Sequence, residues 1–339
     1  MLRSALHLGI FGAALALTAA GLSGLTLPPG DAIVDGKLAW WRAHAAEYDT
    51  LIIGTSRLYH GVIPEILDAT AAARGRPIRS FNLAVDGLRP PEDDFVLEKA
   101  LAAPRLKLRW VIVECNELKL QVTDQEHESA RDIYWHDLPR LRILWRRSWT
   151  TSYGDGHHFF TRARYRSRNL AQFTGHTRLW LWRCFRPGAG LALIQDQRDL
   201  LDRPRRFRPG RLFDGYEEQR AGTLLGGQEL RDYEKMLHRL LVQPPRLTYG
   251  DPESQADLCH KRDLIESVGA QMVLVRPPYL SPEVFAPVSS IARVPFFDFS
   301  DPSRFPELYA VEMRHDYGHT NARGSAIFSR KLAENLSAK

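Results

Sequence analysis

The chain has 339 residues, 44% of them hydrophobic and 25% charged, with a formal net charge of +6. This is ordinary globular composition without repeats or low-complexity tracts, which excludes a disordered, fibrous or solenoid protein and leaves ample material for a large core. Cys115, Cys184 and Cys259 cannot all pair within the chain and form no CxxC or Cys/His cluster, so neither a disulfide framework nor a structural zinc site follows.

From Ala5 to Leu27 the sequence ALHLGIFGAALALTAAGLSGLTL is interrupted only by His7 and small hydroxyl residues. A bilayer crossing needs about 20 apolar residues, so this stretch is expected to be membrane-directed. Arg3 precedes it and Asp31 and Asp35 follow it, an asymmetry that puts the remainder outside the cytoplasm, in a periplasmic or extracellular location. Thr18-Ala19-Ala20 also passes as a cleavage site. Residues 1–30 therefore read either as an uncleaved membrane anchor or as a signal peptide whose removal would release a secreted protein.

Short apolar runs then alternate with helical patterns, the mark of a parallel sheet covered by helices. Strands are predicted at Thr50 to Gly54, Arg79 to Leu83, Trp110 to Cys115, Gln271 to Val275 and Phe296 to Phe299. Helices are predicted at Pro64 to Arg74, Pro91 to Ala102, Asp257 to Val268 and Arg323 to Leu336. The alternation lapses in residues 121–255, which read as an insertion between the two parts, 31–120 and 256–339, of one α/β domain.

The insertion is distinguished by charge. Between Pro139 and Arg211, 17 arginines and no lysine stand against four aspartates, a net +13 that leaves the rest of the chain near −7. Nine aromatic residues from Trp145 to Trp182 are interleaved with them. Arginine forks grip carboxylates or phosphates and aromatic rings stack on sugars, which suits an anionic glycan or cell-wall polymer. Anionic lipid headgroups or a membrane partner suit the same composition, as does a plain helical insertion with a solvated basic face and an aromatic core. Nucleic acid would fit it too, but the exported location argues against that.

In open parallel sheets, ligands sit beyond the carboxyl ends of the strands. Here Gly54-Thr55-Ser56 ends the first predicted strand, Asp86-Gly87 follows the second and Asn116-Glu117 the third. The segment HDYGHTNARG places Asp316 three residues before His319, just ahead of the last helix. Singly, each has a duller meaning. Ser56 would cap a helix, Gly87 would serve a turn and Asn116 would bond its own backbone, while His315, Asp316 and His319 would form a solvated loop or part of a metal site.

Together these blocks resemble the SGNH (GDSL-like) hydrolase superfamily over residues 48–120 and 257–337, though not in the middle. The resemblance implies a flavodoxin-like (SGNH-type) three-layer α/β sandwich around a parallel sheet, to which the residues themselves add a helical, arginine- and aromatic-rich insertion. It implies Ser56 as nucleophile, His319 as base and Asp316 as the partner that orients it. The backbone N–H groups of Ser56 and Gly87 and the side-chain amide of Asn116 would face the oxyanion. Thr55 stands where the family usually has aspartate. The chemistry is coherent: imidazole accepts a hydroxyl proton near neutral pH, a carboxylate fixes its tautomer, and preorganised donors stabilise the tetrahedral oxyanion. A helix following Ser56 would add the favourable end of its dipole. Neither cofactor nor metal is implied.

The apolar N-terminus, the Gly54-Thr55-Ser56-Arg57 block and the C-terminal DxxH also resemble extracytoplasmic members acting on bacterial envelope polymers, such as accessory proteins of alginate O-acetylation or teichoic-acid D-alanylation. That resemblance implies a serine esterase or O-acyltransferase, an acylated envelope polysaccharide as substrate and a membrane-bound O-acyltransferase as partner. Two other readings stay open: a non-catalytic glycan-binding or assembly protein that retains the fold, and an esterase acting on lipid.

Overall fold

The computed structural model describes residues 2–25, 32–118, 130–150, 159–184, 214–219, 222–288, 291 and 293–338. The chain forms two compact units, one of Gly36–Leu118 with Phe207–Lys339 and the other of Met1–Asp35 with Lys119–Arg206.

The first unit is α/β. Among the described residues it holds strands β1 (Thr50–Ile53), β2 (Ser80–Asn82), β3 (Trp110–Glu114), β4 (Arg246–Thr248), β5 (Gln271–Arg276), β6 (Glu283–Phe285) and β7 (Phe296–Asp298). Five form one parallel sheet in the order β2-β1-β3-β5-β7, and β4 pairs with β6 apart from it. The five are the runs expected from the sequence. Leu51, Ile52, Ile53, Val111, Ile112, Val113, Val273, Leu274 and Val275 are at most 1% exposed. A parallel sheet covered on both faces needs such unbroken apolar runs, and each fully buried side chain of this size contributes roughly 1.5–3 kcal/mol.

Helix Pro64–Ala73 packs on the terminal helix Ala322–Ser337, and Glu92–Leu101 packs on Pro252–Ser267, an arrangement consistent with helix–sheet–helix layering. Between the second pair lies a buried charge cluster, in which Lys261 sits 3.2 Å from Asp93 and 3.3 Å from Asp94 and also bonds Asp257. Burial pushes the Asp93 carboxyl up to about 6 and that of Asp94 well above its usual range. Counted within the sheet, the strand order is 2-1-3-4-5, so the winding reverses between β1 and β3. In doubly wound sheets that reversal opens a ligand crevice at the carboxyl ends of the two strands.

The described residues 214–219 and 222–255, within the stretch read as an insertion, group with this unit. Helix Gly227–Val242 is amphipathic and buries Tyr233, whose hydroxyl donates to the Tyr309 carbonyl at 2.7 Å, while Tyr48 donates to Asp214 at 2.9 Å.

The other unit is helical among its described residues: Leu2–Leu25, Ala130–Trp135, Leu138–Thr150 and Phe159–Cys184. Its interior includes Trp135, Leu144 and Leu179 and a buried imidazole pair, His136 and His176, 2.8 Å apart. Instead of forming an aromatic core, Trp145, Trp149 and Trp182 are 43%, 50% and 49% exposed, and the first two share one face of helix Leu138–Thr150 with Leu138 and Arg142. Positions 151–158 and 185–213 of the arginine-rich stretch, and several side chains of Leu2–Leu25, lie outside the described residues. Among the described residues no helix is long and apolar enough to cross a membrane.

Candidate active site

β1 delivers Ser56 through a turn that only glycine permits. A Cβ on Gly54 would lie 2.6 Å from Glu114 Oε2 and 2.7 Å from Glu114 Cβ, so the strand end and β3 approach too closely for any side chain. Thr55 is extended (φ −80°, ψ −174°) and caps the next helix, its Oγ1 accepting the Arg57 N–H at 3.3 Å. The cap role is therefore filled by Thr55. Ser56 occupies the first helical position, half-buried, with Oγ 2.8 Å from His319 Nε2. The helix it opens, Ser56–Tyr59, is a single turn, so the expected dipole contribution is small.

His319 arrives from the far end of the chain in a tightly tied loop. Asn321 caps the terminal helix by accepting from Arg323 and Gly324 N–H, and its amide donates to the Glu312 carbonyl at 2.8 Å. Buried Arg314 donates to the carbonyls of Pro278 and Tyr317. Ser325 Oγ donates to the His60 carbonyl at 2.7 Å, and the Ile63 N–H donates to Ser329 Oγ at 2.8 Å, stitching the terminal helix to the segment behind Ser56. Within the loop, Asp316 Oδ1 accepts the Gly318 and His319 N–H groups at 2.7 and 2.8 Å, and His319 Nδ1 lies 2.9 and 3.0 Å from the two Asp316 oxygens. Burial alone would raise the Asp316 carboxyl, but the hydrogen bond and charge of His319 and the two backbone donors outweigh it and hold it at about 2.

The segment after β2 is fastened to the turn that carries Ser56. Val85 N–H donates to the Gly54 carbonyl at 3.0 Å, and buried Asn82 donates from Nδ2 to the carbonyls of Leu58 and Val62, both at 2.9 Å. Lys37, fully buried, donates to the Asn82 and Ala84 carbonyls, and its burial drives its ammonium pKa well below the usual value. His60 faces Asp86 Oδ1 with Nε2 at 3.0 Å and the Glu217 carbonyl with Nδ1 at 2.8 Å, with its ring 6.3 Å from that of His319. Gly87 has φ +70°, a left-handed turn conformation that suits glycine. Among the described residues neither the Ser56 nor the Gly87 N–H donates a hydrogen bond.

Asn116, at the end of β3, does not bond its own backbone. Its Oδ1 accepts from Arg57 Nη2 at 2.9 Å, while its Nδ2 is buried without a partner. An unpartnered buried donor costs about 1–3 kcal/mol, and a site that must bind developing negative charge is one place where that cost has a use.

The geometry thus joins Ser56, His319 and Asp316 in one hydrogen-bonded chain and, among the described residues, leaves the Ser56 and Gly87 N–H groups and Asn116 Nδ2 without acceptors. Sequence reasoning named Arg57 without giving it a role, and did not find Glu114, also at this site, or the tether made by His60 and Asp86. Their signal was faint: an acid, Glu114, inside the apolar run WVIVEC. Cys115 next to it is a buried core residue whose thiol burial pushes up to about 12. Among the described residues, no group of three or more His, Cys, Asp or Glu is arranged to hold a metal ion, and His319 Nε2 is engaged with Ser56. No family model matches the chain, and no curated protein matches it.

Proposed function

We propose that the chain is a membrane-tethered, extracytoplasmic serine esterase or O-acyltransferase of SGNH (GDSL-like) type, acting on an acylated envelope carbohydrate. The observation that carries this reading is the Ser56 Oγ, His319 Nε2, His319 Nδ1, Asp316 chain together with the unpartnered Asn116 Nδ2. The Ser56 hydroxyl proton passes to His319 Nε2 as Oγ bonds the ester carbonyl carbon. The carbonyl π electrons move onto oxygen, where the Ser56 and Gly87 N–H groups and Asn116 Nδ2 donate to it. Collapse re-forms the carbonyl and breaks the bond to the leaving alkoxide, which takes the proton from His319. Water or a sugar hydroxyl then repeats the sequence on the acyl-Ser56 ester, and which of the two attacks separates hydrolysis from transfer.

Asp316 keeps Nδ1 protonated and stabilises the imidazolium. The exposed tryptophans and the arginines beside them on the helical unit support an anionic envelope partner, and the apolar N-terminal stretch supports tethering. The test is to incubate the protein with an acetylated envelope polysaccharide and follow acetyl-Ser56 by peptide mass spectrometry, with and without a deacetylated acceptor. A Ser56 adduct whose acetyl group moves to the acceptor supports transfer, and one lost only to water supports hydrolysis. No adduct on folded protein, together with unchanged function of a Ser56→Ala variant in cells, favours a glycan-binding or assembly role.

A further inference from the structure

Arg57 and Glu114 stand between the proposed nucleophile and the proposed oxyanion donor. Glu114 is fully buried at the side chain. Its Oε2 accepts the Thr55 N–H at 2.6 Å, and its Oε1 accepts from Thr55 Oγ1 at 3.2 Å and meets Arg57 Nη2 at 2.7 Å. The hydrogen bond from Arg57 Nη2 goes to Asn116 Oδ1 at 2.9 Å. The same guanidinium donates from Nε to Thr55 Oγ1 at 3.3 Å and lies over the Tyr279 ring at 4.3 Å, so its plane is held from several sides.

An asparagine amide has two orientations related by a half-turn. With Oδ1 toward Arg57 a donor meets an acceptor; with Nδ2 there, two donors would collide, and the oxygen would occupy the place where an oxyanion has to be bound. We infer that Arg57, fixed by Glu114, is a positioning residue that locks the Asn116 amide so that Nδ2 is held free for the oxyanion. The inference rests on the reading of Ser56 as nucleophile. It also gives the residue after the serine a role: the pair ties the nucleophile turn after β1 to the end of β3 across the reversal of the sheet.

The test is a double-mutant cycle on the full chain, reading the rate of fluorophosphonate labelling of Ser56. Removing Arg57 alone leaves Glu114 as a buried uncompensated charge, so the variant is Arg57→Met with Glu114→Gln, which keeps an acceptor for Thr55 and no net charge. Asn116→Ala is expected to slow labelling about 100-fold, the loss typical of one oxyanion donor, and the pair variant by a similar factor. In the Asn116→Ala background the pair variant should then add less than about a twofold further loss, because its effect passes through Asn116. Equal losses in both backgrounds overturn the inference and leave the pair a merely structural brace.

A second readout separates failure of this inference from failure of the enzyme reading. The chain has five asparagines, so the Asn116 side-chain amide can be followed by 15N NMR and assigned through Asn116→Ala. Its signals should shift and broaden in the pair variant even if wild-type protein takes no label. Unchanged signals contradict the inference whatever the labelling shows.

Discussion

Ser56 Oγ and His319 Nε2 lie 2.8 Å apart although 263 positions separate them in the chain. The contact depends on the terminal helix being held to the segment behind Ser56 by Ser325 and Ser329, and on Asp316 holding Nδ1 of the imidazole so that Nε2 meets Ser56.

Asp316→Asn should leave the fold intact and lower acylation of Ser56 by about 10⁴-fold, because an amide there favours the wrong imidazole tautomer. The carboxyl is held at about 2 in the folded protein, below its unfolded value. Its contribution to stability is therefore present above about pH 4 and is lost as pH falls from about 4 toward 2. Urea unfolding of both proteins across that window should show an acid-side decline that is shallower in the variant.

The cluster around Lys261 has the opposite sign. Burial raises the Asp93 carboxyl to about 6, so its proton is held more tightly in the folded protein, and the associated stability is lost as pH rises from about 4 through 6. Asp94, Asp257 and Lys261 are the charged groups facing it. Thermal scans of Asp93→Asn should therefore show less loss between pH 4.5 and 7.5 than wild type. Lys261→Met, which strands three buried carboxyl groups without a cation, should cost about 3–5 kcal/mol at neutral pH.

Gly54→Ala should destabilise by about 1–3 kcal/mol, since the new methyl group would have to displace Glu114 or Leu58. Because Glu114 also holds Thr55 and Arg57, labelling of Ser56 should fall at least tenfold, more than folded content measured by circular dichroism.

The sheet was legible because its strands are buried on both faces: Leu51-Ile52-Ile53 and Val111-Ile112-Val113 leave no other place for so much apolar surface. For the same reason Ser56, Gly87 and Asn116 could be placed beyond the ends of strands, and Asp316 and His319 just ahead of the last helix. The Arg57–Glu114 pair was not, since a lone acid in a strand says only that a partner exists and nothing local says which residue it is. Where helix Gly227–Val242 groups was not legible, because an amphipathic helix looks the same on its own whether it covers a sheet or belongs to a helical insertion. Which of the two readings of the aromatic residues holds for Trp145, Trp149 and Trp182 was not legible either, since aromatic content read from sequence carries no sign of which face turns outward.

The central claim is an activated Ser56, and the most direct measurement is intact-mass labelling of the full chain, in native membranes or detergent, with a fluorophosphonate probe beside Ser56→Ala and His319→Ala. One adduct on the wild type, absent from Ser56→Ala and nearly absent from His319→Ala, is the expected result. Folded wild-type protein that takes no label in either medium, or that labels equally in both variants, would contradict it.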